Sequence, residues 1–347
     1  MKRRLRLSQQ SKLGIHIQLS MMSLVGGPTE SFREMHSLLV QAVKRWKTLS
    51  IKGGIFNLRD LADYVPSTLP CVEDITFDVY DLEHAAARET PLISAPRLSR
   101  CVSNTQAKLF FQECKKLREY STAGFGFRRS RTLPWSQLVS DLHTNSPALE
   151  ILEISDNNWT SAGLLEQTST AWAALPRLRI LRFAKATHHV INTYLGKING
   201  PMLEVVELVG APISEDGTAE ISASTAEPPI IELPTRTRWR LRFKKTSLQE
   251  VRDTIETIQP LSSAVVEIDL MGLLPEDMLN GANSNVTFQS TQRYLEDGWK
   301  WILDRVPSVV WVIRRGQEDW VPLNRNRPPS LHEVVEYILS AIAREFA

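Results

Sequence analysis

Apolar residues along the chain fall into two alternating rhythms. The first is short: an apolar residue, two variable ones, an apolar residue, one variable, an apolar residue. It reads Trp46-x-x-Leu49-x-Ile51, Val72-x-x-Ile75-x-Phe77, Leu149-x-x-Leu152-x-Ile154, Leu178-x-x-Leu181-x-Phe183, Leu203-x-x-Val206-x-Leu208 and Val265-x-x-Ile268-x-Leu270. Weaker copies begin at Leu98, with Cys101, and at Val309, with Val312. Side chains two apart share one side of a strand, so each copy predicts a short strand with a buried face. The second rhythm is the helical step. Phe32, Met35, Leu39, Val43 and Trp46 follow it, as do Leu58, Leu61, Ala62 and Val65. Ser247 with Glu250 forms a capping box ahead of Leu248, Val251, Ile255 and Ile258. A second box, Ser330 with Glu333, opens a run through Leu331, Val334, Val335, Ile338, Leu339, Ile342 and Phe346.

The strand pattern repeats. Start positions 46, 72 and 98 are 26 apart, and 149, 178 and 203 are 29 and 25 apart. These steps lie close to the leucine-rich-repeat period of about 20–29 residues. Pro70, Pro96, Pro147, Pro176, Pro201 and Pro307 each stand one or two residues before an anchor, where proline ends a helix and sets an extended lead-in. Strand and helix alternating along the whole chain predict an α/β fold, a leucine-rich-repeat-like solenoid with parallel strands on one face and helices on the other. Three parts are expected: an N-terminal strand and lead-in over 1–28, an irregular solenoid over 29–329, and a C-terminal capping helix over 330–347. The stretch 211–232, rich in Ser, Thr, Pro and acids, breaks the rhythm and reads as an acidic loop inserted between repeats.

At the N-terminus, Lys2, Arg3, Arg4, Arg6 and Lys12 precede the first acid, Glu30, a composition shared with mitochondrial presequences. Periodicity decides against that reading. Leu13, Ile15, Ile17, Leu19 and Met21 alternate with Gly14, His16, Gln18 and Ser20, which makes a one-faced strand and spoils an amphipathic helix.

Composition narrows the function classes. Of 347 residues, 42% are hydrophobic and 23% charged, enough to build a core, and the net charge of +2 supplies no global field for nucleic acid or an acidic membrane. The three cysteines, Cys71, Cys101 and Cys114, have no CxxC spacing and an odd count, which points to a reducing compartment and to buried thiols. No apolar run reaches the roughly 18–20 residues of a membrane span. The expected compartment is the cytoplasm or the nucleus.

No catalytic signature emerges: no GxSxG, P-loop, HExxH or complete GxGxxG occurs. The segment from Gly124 to Arg131, a glycine pair beside arginines, comes nearest to an anion cradle but reads more simply as a loop between repeats. His188 and His189 are adjacent and lack acids or cysteines at ligand spacing, so a polar surface is expected rather than a metal site. Trp299, Trp301, Trp311 and Trp320 gather aromatics near the C-terminal end, as core fillers or interface anchors. No cofactor is expected.

The most informative charges lie on one predicted strand. Arg236, Arg238, Arg240, Arg242 and Lys244 alternate with Thr237, Trp239, Leu241 and Phe243. Strand geometry sends Trp239 and Leu241 inward and the bases to the outer, solvent-accessible face. Neighbouring strands would set Glu153, Arg182, Glu207, the Arg240–Arg242 strand, then Glu267 and Asp269 side by side, with alternating sign. Two readings stand open. Arg182, Arg238, Arg240, Arg242 and Lys244 form a site for an acidic or phosphate-bearing partner, or the row is a self-neutralised ladder worth about 0.2–1 kcal/mol per opposite pair.

Arg45-Trp46-Lys47-Thr48-Leu49-Ser50-Ile51 resembles the opening of fungal F-box proteins, especially the expanded basidiomycete set. The run Leu133-Pro134-Trp135-Ser136-Gln137-Leu138 is similar to a step of the same family, and Pro147-Ala148-Leu149-Glu150 and Leu175-Pro176-Arg177-Leu178 resemble its repeat starts. The resemblance covers roughly residues 5–345. It implies the target-recognition part of a cullin-based ubiquitin-ligase receptor. The Leu-Pro-x-Glu-like opening of an F-box, which docks a Skp-family adaptor, has no counterpart before residue 45, so the F-box is expected to be missing or truncated. The sequence thus leads to a monomeric, non-enzymatic protein-binding module that engages a target protein on its sheet face. It recruits adaptor and cullin only through an upstream F-box. The alternatives are a stand-alone repeat scaffold and an enzyme using the Gly124–Arg131 loop.

Overall fold

The computed structural model describes residues 11–19, 30–55, 65–81, 93–103, 111–112, 114–122, 144, 146–155, 175–184, 186, 191, 195, 198, 200–209, 234, 237–242, 248–257, 265–269, 300–301, 309–315 and 319–322. Several sequence readings lie outside them: the 211–232 insertion, the capping helix over 330–347, the Gly124–Arg131 loop, the Leu133–Leu138 run, the His188–His189 pair, Trp299 and Lys244. The chain divides into two compact units, one containing Met1–Arg179 and the other Ile180–Gly196, Leu203–Thr218 and Thr225–Ala347. No helix among the described residues is long and apolar enough to cross a membrane.

The first unit contains β1 (Leu13–Leu19), α1 (Glu30–Gln41), β2 (Trp46–Ile55), β3 (Asp74–Asp81), β4 (Ile93–Ser94), β5 (Arg100–Ser103), β6 (Phe111–Gln112), β7 (Glu119–Thr122) and β8 (Ile151–Ser155). Its main sheet runs β1-β2-β3-β5-β7-β8, with every neighbouring pair parallel. The short strands β4 and β6 form a separate parallel pair. In the second unit are β9 (Ile180–Ala184), β10 (Val205–Val209), β11 (Arg238–Arg242), α2 (Leu248–Thr257), β12 (Val265–Asp269), β13 (Val309–Arg315) and β14 (Asp319–Pro322). Pairs β9-β10, β10-β11, β11-β12 and β12-β13 are parallel, and β13-β14 is an antiparallel hairpin.

One local device recurs before the strands. In Ala95-Pro96-Arg97-Leu98, Cys114-Lys115-Lys116-Leu117, Ser146-Pro147-Ala148-Leu149 and Leu175-Pro176-Arg177-Leu178, the fourth N–H donates to the first carbonyl, at 3.0, 2.9, 3.1 and 3.1 Å. Proline suits the second position of such a turn because its φ is already set. The next N–H then reaches the equivalent carbonyl one repeat earlier. Ser99 N donates to Glu73 O, Arg118 N to Ser99 O, Glu150 N to Arg118 O and Arg179 N to Glu150 O, each at 2.8 Å. The turn thus fixes where each strand starts relative to its neighbour.

Register puts like residues side by side on the inner face. Leu49, Ile75, Cys101, Tyr120 and Leu152 form one row in the first unit, all at most 2% exposed. In the second, Leu181, Val206, Trp239 and Val266 form the matching row at 0%. At the anchor before β11, where most repeats carry Leu, stands Thr237; its buried hydroxyl donates to Leu203 O at 2.9 Å, which satisfies the polar group inside the core.

The N-terminal alternation does form a strand, with Ile15 and Ile17 buried. The helical step through Phe32 stops earlier than its spacing predicts. Helix α1 ends at Gln41, a 3-10 turn covers Val43–Arg45, and Trp46 begins β2. The Trp46 indole lies fully buried and donates to Leu39 O at 3.1 Å, so it stitches helix end to strand start instead of extending the helix.

Leu152→Ala in β8 removes a fully buried side chain from the inner row. It should cost about 2–5 kcal/mol in urea unfolding. Burial raises the Cys101 thiol above its usual pKa, with the nearby Cys114 and Asp74 adding to the shift. Native-state alkylation should therefore modify the half-buried Cys71 well before Cys101, read by mass spectrometry.

Candidate binding face on the second unit

The strand β11 alternates as its sequence demands. Trp239 and Leu241 are fully buried and Arg238 is exposed. Arg240 and Arg242 depart from the expectation of open solvent access: their side chains are only 19% and 17% exposed. Register explains the difference. Arg182, Glu207, Arg240 and Glu267 occupy one row across β9, β10, β11 and β12. Two acidic side chains therefore lie among four guanidinium groups.

Each carboxylate is shared by two arginines. Arg182 Nε donates to Glu207 Oε2 at 2.8 Å, and Arg242 Nη1 lies 3.6 Å from Glu207 Oε1. Arg240 Nε donates to Glu267 Oε2 at 2.7 Å, and Arg238 Nη1 to Glu267 Oε1 at 3.2 Å. The pairs within the row run straight across, and the other two run diagonally from the ends of β11. Glu207 and Glu267 are themselves buried, with side chains 4% and 10% exposed. Residues of β10 are buried on both sides, Val205 and Glu207 on the outer one included, in keeping with long arginine side chains on the flanking strands.

The ladder reading of the basic strand is met in the ion pairs. The ladder is formed, as the alternating signs required, but it is not balanced. The shortest bonds involve Arg182 and Arg240. Arg242 is left with a 3.6 Å ion pair, longer than a hydrogen bond, and its Nε is buried with no hydrogen-bond partner. The fifth candidate, Lys244, lies outside the described residues.

The outer face of the first unit is built on the same rule with a different balance. Arg100 stands between Asp74, 3.4 Å from Nη1, and Glu119, 3.2 Å from Nε. Burial works against the Arg100 charge, but the hydrogen bonds and charges of Glu119 and Asp74 outweigh it and raise its pKa. Beside the strand starts, Lys47 pairs with Glu73 at 3.4 Å and Arg118 with Glu150 at 3.9 Å.

Elsewhere in the second unit, the Arg252 guanidinium of α2 stacks 5.3 Å from the centre of the Trp301 ring, a contact that spacing alone did not indicate. Trp311 and Trp320 fall in β13 and β14. No group of three or more His, Cys, Asp or Glu among the described residues could hold a metal ion. No protein-family model matches the chain, and no curated protein matches it.

Glu207→Gln leaves Arg182 and Arg242 without their shared counter-charge. Loss of one partner from a buried ion pair costs roughly 3–5 kcal/mol. Arg238→Gln, by contrast, removes an exposed group and should cost no more than about 1 kcal/mol. Urea unfolding of the two variants checks the contrast; equal losses would mean that Glu207 is not structurally central.

Proposed function

We propose that the chain is a non-catalytic protein-binding module of leucine-rich-repeat type, a solenoid whose outer sheet face holds a target protein. Its role is the substrate-recognition part of an F-box-type ubiquitin-ligase receptor, in the cytoplasm or nucleus. The observation that supports this best is the recurrence of one unit. A tight turn, usually with proline at its second position, leads into a short parallel strand whose inner side is buried and mostly apolar. Stacking such units uses up the inner faces and leaves a broad, rigid outer face whose side chains are free of any core-filling duty. That division of labour suits recognition more than chemistry. The ubiquitin link is supported by the likeness of Arg45–Ile51 and Leu133–Leu138 to fungal F-box proteins.

The test is purification of the tagged product of the whole locus from its own cells, with quantitative mass spectrometry of retained proteins. The expected result is one recurrent target together with a Skp-family adaptor and a cullin, and a longer target half-life when the locus is deleted. A target retained without adaptor or cullin would reduce the role to a stand-alone scaffold. Turnover of a small molecule by the purified chain would overturn the non-catalytic reading.

A further inference from the structure

The outer faces of the two units differ in charge. By register, the first unit's face carries Lys52 and Arg100 against Asp74, Asp78, Glu119 and Glu153, a net deficit of two charges. The second carries Arg182, Arg238, Arg240 and Arg242 against Glu207 and Glu267, a surplus of two. Among the described residues, the second unit's outer sheet face thus holds the positive surplus.

The surplus sits at identifiable places. Glu207 is committed to its 2.8 Å bond with Arg182, so Arg242, only 17% exposed, keeps a 3.6 Å ion pair and a buried, unpartnered Nε. The accessible part of this guanidinium is its terminal nitrogens, whose 3.6 Å ion pair leaves hydrogen-bonding capacity that an oxyanion can take up. At the other end of β11, Arg238 is 48% exposed and shares Glu267 with Arg240, whose bond is shorter. Arg238 and Arg242 lie four residues apart on the same side of one strand, about 13 Å. That span matches side chains i and i+4 of an extended peptide. Val209, paired with Arg242, is partly exposed on the same face and offers apolar contact beside the charge.

We propose that the second unit's outer face binds an extended acidic segment of a partner protein along β11, with Arg238 and Arg242 each taking one carboxylate or phosphate group spaced i, i+4. This deepens, and rests on, the protein-binding reading above. The first unit's face, with its excess of acids, does not take part.

The experiment uses the full chain and fluorescent peptides of about 12 residues on a neutral Gly/Ser/Ala background, read by anisotropy at low and high salt. One pair carries two Glu or two phosphoserines at i, i+4; controls carry two Glu at i, i+1, or two Gln. Expected is at least about tenfold tighter binding of the i, i+4 peptides than of the Gln peptide, weakening with salt. Which of Glu and phosphoserine binds tighter identifies the source of the oxyanion. Arg238→Gln and Arg242→Gln should each lose about tenfold, while Lys52→Gln in the first unit changes nothing. Arg238 is exposed enough that its variant should fold, so that variant decides the matter if Arg242→Gln does not. Equal binding of the Gln peptide, or no effect of Arg238→Gln, overturns the proposal. So does tighter binding of a single-stranded oligonucleotide, or sedimentation showing a second copy of the chain on this face that the peptides cannot displace. If the peptides fail while a target protein is still retained by the whole product, this inference falls and the protein-binding reading stands.

Discussion

A strand of four or five residues with one greasy side has no stability of its own; it exists only between neighbours that cover its edges and share its buried face. That dependence shapes each unit of this protein. The turn ending at Leu98, Leu117, Leu149 or Leu178 places one N–H under a carbonyl of the preceding repeat. The adjoining strand then pairs in parallel, and its second apolar residue drops into a row with its equivalents. A slip of one residue would turn Leu152 or Trp239 to the outside and a charged neighbour inward, so the register is held firmly by the inner face.

The same register governs the outer face. Equivalent positions lie about 4.8 Å apart across a sheet, too near for like charges to be tolerated without an intervening opposite. Asp74, Arg100 and Glu119 alternate in one unit, and Arg182, Glu207, Arg240 and Glu267 alternate in the other. In the second unit the acids are buried under the arginines. Such pairs contribute modestly beside an apolar substitute but resist the loss of either partner, so they add specificity of register more than stability.

Because the two faces answer to different requirements, they carry different information. Inner residues such as Phe77, Tyr120 and Phe183 fill space, and their identity reports on packing. Outer residues need only satisfy their neighbours' charges, and around Arg242 that satisfaction is incomplete. A surface released from core duty can hold charge in surplus.

Much of this was written in the order of residues. The period-two alternation at Leu13–Leu19 and Arg238–Arg242, the prolines before the anchors, and the charge signs from Arg182 to Glu267 all depend on local geometry, and local geometry is readable one strand at a time. What stayed hidden has a common cause. Strand β7 carries no strand signature of its own, because Tyr120-Ser121-Thr122 lacks the third apolar residue, and only pairing with β5 and β8 makes it a strand. The antiparallel return of β14 depends on where the chain meets β13, not on its own four residues. Trp46 fits both a helical and a strand period, and burial against Leu39 decided between them. Above all, the period-two alternation placed Arg240 and Arg242 on the outer face but could not say how deep. Their depth, and the unequal sharing of Glu207 that leaves Arg242 poorly bonded, were decided by carboxylates on other strands, because an ion pair is a property of two positions that meet only in the folded chain.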